Sequence, residues 1–240
     1  MPGGTYSALS GMRTRLEELD RLAADLANVN TAGYKTERAS TVAIDRDSFN
    51  SQFEAAVDVA RGNTKIDWRP GLIANTGRDL DAAIEGKGFF VVDTPAGERY
   101  TRAGNFIKRV DGVLTTSAGE PILGESGPIK LPNAPVSIAD DGTIRSGATQ
   151  VGRLQIVEFE SEKDLIRESG SRFKALPGSS PPQTVEAKVV GGALEQSNVS
   201  VVDRMAKLTE LSRNFESLNK GVNTLMTELD GRAISELGKR

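Results

Sequence analysis

Apolar residues return in steps of three and four at both ends of this chain, and that spacing constrains its fold more than any other feature. Near the start they stand at Leu9, Met12, Leu16, Leu19, Ala23 and Leu26. Near the end they stand at Val201, Met205, Leu208, Leu211, Phe215, Leu218, Val222, Leu225 and Leu229. Steps of this kind put side chains on one narrow stripe of an α-helix. The sequence therefore predicts a helix over about 6–28, stopped by Asn28, Asn30 and Gly33. It predicts a second, longer helix capped by Asn198 or Ser200 and closed by Gly231. Gly221 inside the second helix costs about 1 kcal/mol relative to alanine, too little to break so regular a pattern.

A helix with only a narrow apolar stripe is unstable alone in water, because nucleation is unfavourable and its stability must come from covering the stripe. The economical partner for each helix is the other. The expected fold class is α+β: a discontinuous N- and C-terminal α-helical coiled-coil domain with an inserted mainly-β domain. The expected boundaries are 1–34 for the first helix, 35–70 for an extended or partly disordered linker, 71–192 for the β insert and 193–240 for the returning helix. The longer second stripe is left partly uncovered, which makes all fifteen seam residues candidates for contacts between copies. The same spacing also fits the core face of an ordinary helical layer.

Between the ends the period changes to alternation broken by turn residues, the mark of β structure. Gly88 to Asp93 and Glu98 to Arg102 flank Thr94-Pro95-Ala96-Gly97. Asp111-Gly112 joins Asn105–Val110 to Val113–Thr116 and is expected to form a tight hairpin. Asp141-Gly142 joins Val136–Ile138 to Thr143–Arg145, and Val151 to Glu160 reads as one further strand. Phe89 and Phe90 should place one ring on each face of their strand. Gly86 and Gly88 read as turn or close-packing positions. Gly191-Gly192 reads as the hinge back to the last helix, and a weak helical pattern surrounds Phe49, Phe53 and Val57.

Composition narrows the function. The chain has no cysteine and no histidine. That removes disulfides, thiolate or imidazole metal sites, and the usual general base near neutral pH. Its 30 basic and 33 acidic residues are well mixed, so no face is built to neutralise phosphates and nucleic acid is not an expected partner. Asp140, Asp141, Glu158, Glu160 and Glu162 supply carboxylates, and Lys108 and Lys130 cations, but their placement suits solvated turns and strand edges better than catalysis. Gly86-Lys87-Gly88 lacks the spacing of a phosphate loop. No enzyme activity, cofactor or metal is expected. The start, Met1-Pro2-Gly3-Gly4-Thr5-Tyr6, has no basic and apolar signal segment, and no run approaches the roughly 18 apolar residues of a membrane span.

Three segments in order resemble the axial family of the bacterial flagellum, the rod and hook proteins. The first is Leu26 to Lys35, with Ala27, Asn28, Asn30, Thr31, Gly33, Tyr34 and Lys35. The second runs from Asn75 to Ile129 and contains Gly86, Gly88, Phe89, Phe90 and Tyr100 to Gly104. The third is Leu194 to Val199, with Ser197, Asn198 and Val199, followed by Arg213 to Glu216 on the last helix. The resemblance implies a structural rod subunit of the basal body, exported unfolded through the flagellar type III apparatus without signal cleavage. It implies helical assembly in the periplasm with copies of itself and with other rod and hook proteins, transmitting torque from motor to hook. The short β region suits a proximal rod component; a distal rod or hook-type subunit is the neighbouring alternative. A secreted binding protein with coiled-coil ends and a β head is the rival from another class.

Overall fold

The structure is a computed structural model and describes residues 2–39 and 64–237. The described chain is mostly β-strand, with two long helices. Helix α1 spans Pro2–Ala27 and helix α2 spans Val201–Leu237. Ser200 starts α2 by accepting the Asp203 N–H on its hydroxyl at 3.4 Å, as an N-cap should. The helix runs through Gly231 rather than stopping there, because one glycine costs less than the surrounding helix formers supply.

The expected fold class does not hold. The described residues contain no coiled-coil domains flanking a β insert, and the reason is visible in what the helices bury. The chain divides into two compact units. One holds 1–27, 37–64 and 200–240; the other holds 28–36 and 65–199. In the helical unit α1 and α2 pack together, but α1 buries Leu22 and Asp25, neither of them on the heptad stripe. Ala23 is exposed and Leu16 is 46% exposed. Asp25 faces Arg204 of α2 at 3.3 Å, so a buried ion pair occupies a place where a coiled coil would seat an apolar knob. Heptad spacing reports where apolar residues are and cannot report a buried carboxylate one position away.

The β unit is built on a six-stranded antiparallel sheet. Its order is Leu165–Ser169, Arg172–Ala175, Gly97–Thr101, Phe89–Thr94, Ile156–Glu158 and Gln183–Thr184. Alternation along the central strand sends Phe89 and Val91 into one core cluster with Val157, Phe159 and Phe173, and Phe90 and Val92 into the other with Phe106, Leu114 and Ile144. Phe89 and Phe90 thus divide between the two faces as expected. The hairpin before this strand's return is also as read, with Phe89–Thr94 paired to Gly97–Thr101.

Several local expectations change. Val151 to Glu160 is two strands, Thr149–Arg153 and Ile156–Glu158, which join different sheets. Gly191-Gly192 is not a hinge: Lys188–Gly191 pairs with Ala82–Glu85, and Ala193–Glu195 pairs with Ile73–Asn75. A Cβ on Gly191 would sit 2.2 Å from the Ile138 carbonyl oxygen, so this glycine serves close packing. The hairpin at Asp111-Gly112 exists, but among the described residues no non-glycine residue has positive φ. Arg109 accepts the Gly112 N–H at 2.9 Å and Gly112 has φ 84°, giving a longer turn closed by a left-handed glycine. Ala139 to Gly142 repeats that turn. The pattern around Phe49, Phe53 and Val57 lies outside the described residues.

Candidate functional site: a buried charge clasp

Within the β unit, the three family segments meet around one carboxylate. Glu195 ends the strand Ala193–Glu195 and its side chain is 1% exposed. Lys35, also 1% exposed, donates from its Nζ to Glu195 Oε1 and to the Arg69 carbonyl at 3.1 Å. The Gly71 N–H donates to the same Oε1 at 3.0 Å. Arg102 approaches Oε2 at 3.4 Å, and its guanidinium also donates to the carbonyls of Ile84 and Gly86. Its guanidinium carbon lies 5.3 Å from the centre of the Phe89 ring, within cation–π reach. Burial pulls the Lys35 ammonium below the ordinary 10.5, while the adjacent Glu195 carboxylate pushes it back up.

Backbone and amide contacts complete the clasp. Gly33 donates its N–H to the Glu195 carbonyl at 2.8 Å. Asn198 accepts the Thr36 N–H on Oδ1 at 2.7 Å, and its Nδ2 donates to the carbonyls of Asp67 at 2.7 Å and Arg69 at 3.1 Å. Arg167 stacks over Tyr34 at 4.5 Å and donates to the Lys35 carbonyl. Residues far apart in sequence are thereby joined in a buried site, where charge-assisted bonds are strong and removing one partner is expensive.

Gly33 has a different task from the expected one. Helix α1 has already ended at Ala27. Gly33 has φ 66°, and a Cβ there would lie 2.4 Å from the Arg102 carbonyl carbon and the Ala103 nitrogen. It lets the N-terminal segment lie directly on the Arg102 backbone. Gly33→Ala is expected to cost about 2–4 kcal/mol, from about 1–2 for the left-handed backbone and the remainder from overpacking. Urea denaturation of the full chain checks this, and a loss below about 1 kcal/mol would show that the close approach does not matter.

The other sequence candidates are placed as follows. Ala27 ends α1, the Thr31 hydroxyl donates to Asn28 Oδ1 at 3.1 Å, and Asn30 is exposed. Gly33, Tyr34 and Lys35 are buried. Gly86 and Gly88 have φ 100° and 123°, and a Cβ on Gly88 would meet Ile156 at 2.8 Å. Ser197 accepts the Val199 N–H at 3.3 Å. On the helices Leu211 is buried; Met12, Leu19, Leu26, Leu208 and Phe215 are half-buried; Val201 and Met205 are exposed. The side chains of Leu9, Leu218, Val222, Leu225 and Leu229 fall outside the described residues. Glu195 and Arg102 lie inside the quoted segments but carry no periodicity of their own, and their mostly polar neighbours in sequence do not mark them as buried.

Of the acidic residues weighed as catalytic, Asp141 serves a turn. Asp141 accepts the Thr143 N–H and hydroxyl, which hold its carboxyl below the usual range. Lys108 donates to the Pro132 carbonyl and Asn133. Among the described residues no helix is long and apolar enough to cross a membrane, and no group of three acidic residues could hold a metal ion.

Comparison with known proteins meets the clasp. A family described as the flagellar hook protein FlgE/F/G D1 domain matches residues 83–146, and the flagellar basal body rod FlgEFG protein C-terminal family matches residues 190–233. The flagellar basal-body rod protein FlgF of Caulobacter vibrioides is 34% identical over 100% of this chain and 99% of its own length. The chain belongs to the flagellar basal-body rod protein family. FlgF of Rhizobium meliloti is 32% identical over 99% of both chains, and FlgG of Bacillus subtilis is 32% identical over 91% of this chain. This rod protein is a structural subunit whose place is the flagellar basal body. Arg102 and Glu195 of the rod protein fall in the two matched regions, one in each.

Proposed function

We propose that this rod protein assembles helically with copies of itself and with other rod and hook proteins, and transmits torque from motor to hook. The observation that carries the reading is the apolar surface left on its helical unit. Leu16 is 46% exposed, Val202 78% and Met205 53%, and covering such apolar side chains on association is favourable. The buried clasp supports the load-transmitting part of the reading, since within the β unit it ties Lys35 and Asn198 to the rest of that unit by charged and amide contacts. The work proposed is mechanical and not enzymatic.

The site of assembly is the periplasmic rod, reached through the flagellar type III apparatus without removal of a signal peptide. The absence of cysteine suits export as an unfolded chain. A proximal position in the rod is supported by the short β region. The assembly seam proposed is the fifteen-residue set on the two helices. Deleting the gene and restoring a tagged full chain tests the reading. Swimming and tagged protein in purified basal bodies are expected on restoration; basal bodies complete and functional without the chain would overturn it.

A further inference from the structure

Two charges in the helical unit stand at the wrong ends of their own helices. Asp25 lies in the last turn of α1, where free carbonyls make the end negative, and no basic residue shares that turn. Arg204 lies in the first turn of α2, where free N–H groups make the end positive. A helix favours the opposite arrangement, with anions at its N-terminus and cations at its C-terminus. Neither charge suits its own helix. Each is explained by the other: Arg204 Nε lies 3.3 Å from Asp25 Oδ2, with the Asp25 side chain 2% exposed and that of Arg204 14%. The Arg204 backbone is also held, since its N–H donates to the Ser200 carbonyl at 3.0 Å as α2 begins.

Stability does not account for the pair. Stripping two charges of water offsets most of what their attraction supplies, and apolar side chains of similar size fill such a place at least as well. What apolar side chains do poorly here is choose an alignment. Arg204 heads a seven-residue series that continues with Leu211, Leu218 and Leu225. Sliding α2 by one step of that series would bring Leu211 opposite Asp25. Leucine follows leucine through the rest of the series, so shape alone would not resist the slide. Charge does resist it, because Asp25 would then be buried against an apolar side chain with Arg204 carried away.

We propose that Asp25 and Arg204 are the register-setting residues of the helical unit. Their pairing admits one alignment of α2 on α1 and excludes the alignment one series step away, displaced by about 10 Å along the helix axis. The consequence for assembly rests on the assembly reading: a fixed register sets where the exposed Leu16 of α1 stands relative to Val202 and Met205 of α2. The pair therefore decides which apolar surface the two helices present together.

Nitroxide distances in the soluble full chain test this. Arg13→Cys on α1 and Glu210→Cys on α2 lie at exposed positions, and the chain has no cysteine of its own. Labelled chain is diluted in unlabelled chain, so that distances within one copy are read by pulsed electron paramagnetic resonance. With Asp25 and Arg204 in place, a single distance is expected. In Asp25→Leu with Arg204→Leu, a second distance several ångströms away is expected in about a third of the chains or more, because the two alignments become close in energy. In Asp25→Arg with Arg204→Asp, which suits both helix ends, the single parental distance is expected to return. One unchanged distance in the leucine variant overturns the proposal, as do two distances in the parent or in the charge swap. Loss of the helical circular dichroism signal in the leucine variant also overturns it, because the pair would then supply stability rather than register. Swimming separates the two ideas. A leucine variant with two distances that swims like the parent keeps the register assignment and removes this helical face from the assembly contacts; one with a single distance that fails to swim sinks the register pair and leaves rod assembly standing.

Discussion

Replacing Glu195 with leucine is expected to destabilise the β unit by about 3–5 kcal/mol, the usual cost of removing one member of a buried charge cluster. For a unit of this size that corresponds to a fall in Tm of roughly 6–20 °C. The cause is what remains behind. Lys35 and Arg102 would lose their counter-charge in a site where Lys35 is 1% exposed and Arg102 7% exposed, and the Gly71 N–H would lose its acceptor. Adding Lys35→Met to Glu195→Leu should recover a large part of the loss, because two apolar side chains of similar volume do not need each other's charge. The double-mutant cycle is expected to show coupling of about 2 kcal/mol or more. Additive effects, or a single-variant loss below about 1 kcal/mol, would mean that the carboxylate does not hold the segments together.

Leu211→Asp is expected to abolish rod assembly and swimming while the β unit stays folded. Leu211 is 6% exposed in the helical unit, and a carboxylate there must either be stripped of water or force the helices apart. Both core clusters of the β unit are built from its own residues, so the damage should not spread. Leu16→Asp is the useful companion, because Leu16 is already 46% exposed. It should leave helix pairing nearly intact and still block assembly if that face meets another subunit. Soft-agar motility read beside circular dichroism separates the two effects; normal swimming in the Leu211 variant removes that residue from the assembly contacts.

The β unit was legible where side-chain alternation and turn chemistry act over a few residues. Phe89 and Phe90 alternate because a strand has period two, and Gly112 and Gly142 take positive φ because the turns demand it. Gly33 was found for the wrong reason: glycine after a helix suggests a helix stop, and only the approach of the Arg102 backbone reveals its task. Gly191-Gly192 misled in the same way, since a glycine pair permits a hinge or tight packing equally well.

The helical ends show the boundary most clearly. Their existence follows from the steps of three and four, because any helix must gather such residues on one side. Which side is covered does not follow. Leu22 and Asp25 are inside and Ala23 outside, a choice that depends on Arg204 arriving opposite Asp25. The clasp is of the same kind. Lys35, Arg102 and Glu195 are ordinary surface residues by type, and nothing local forbids each from being solvated. Local sequence therefore determined the elements and the turns, which are governed by short-range backbone and side-chain geometry. The pairing of charges distant along the chain was decided only by tertiary structure, because a buried charge is tolerable only once its partner is in place.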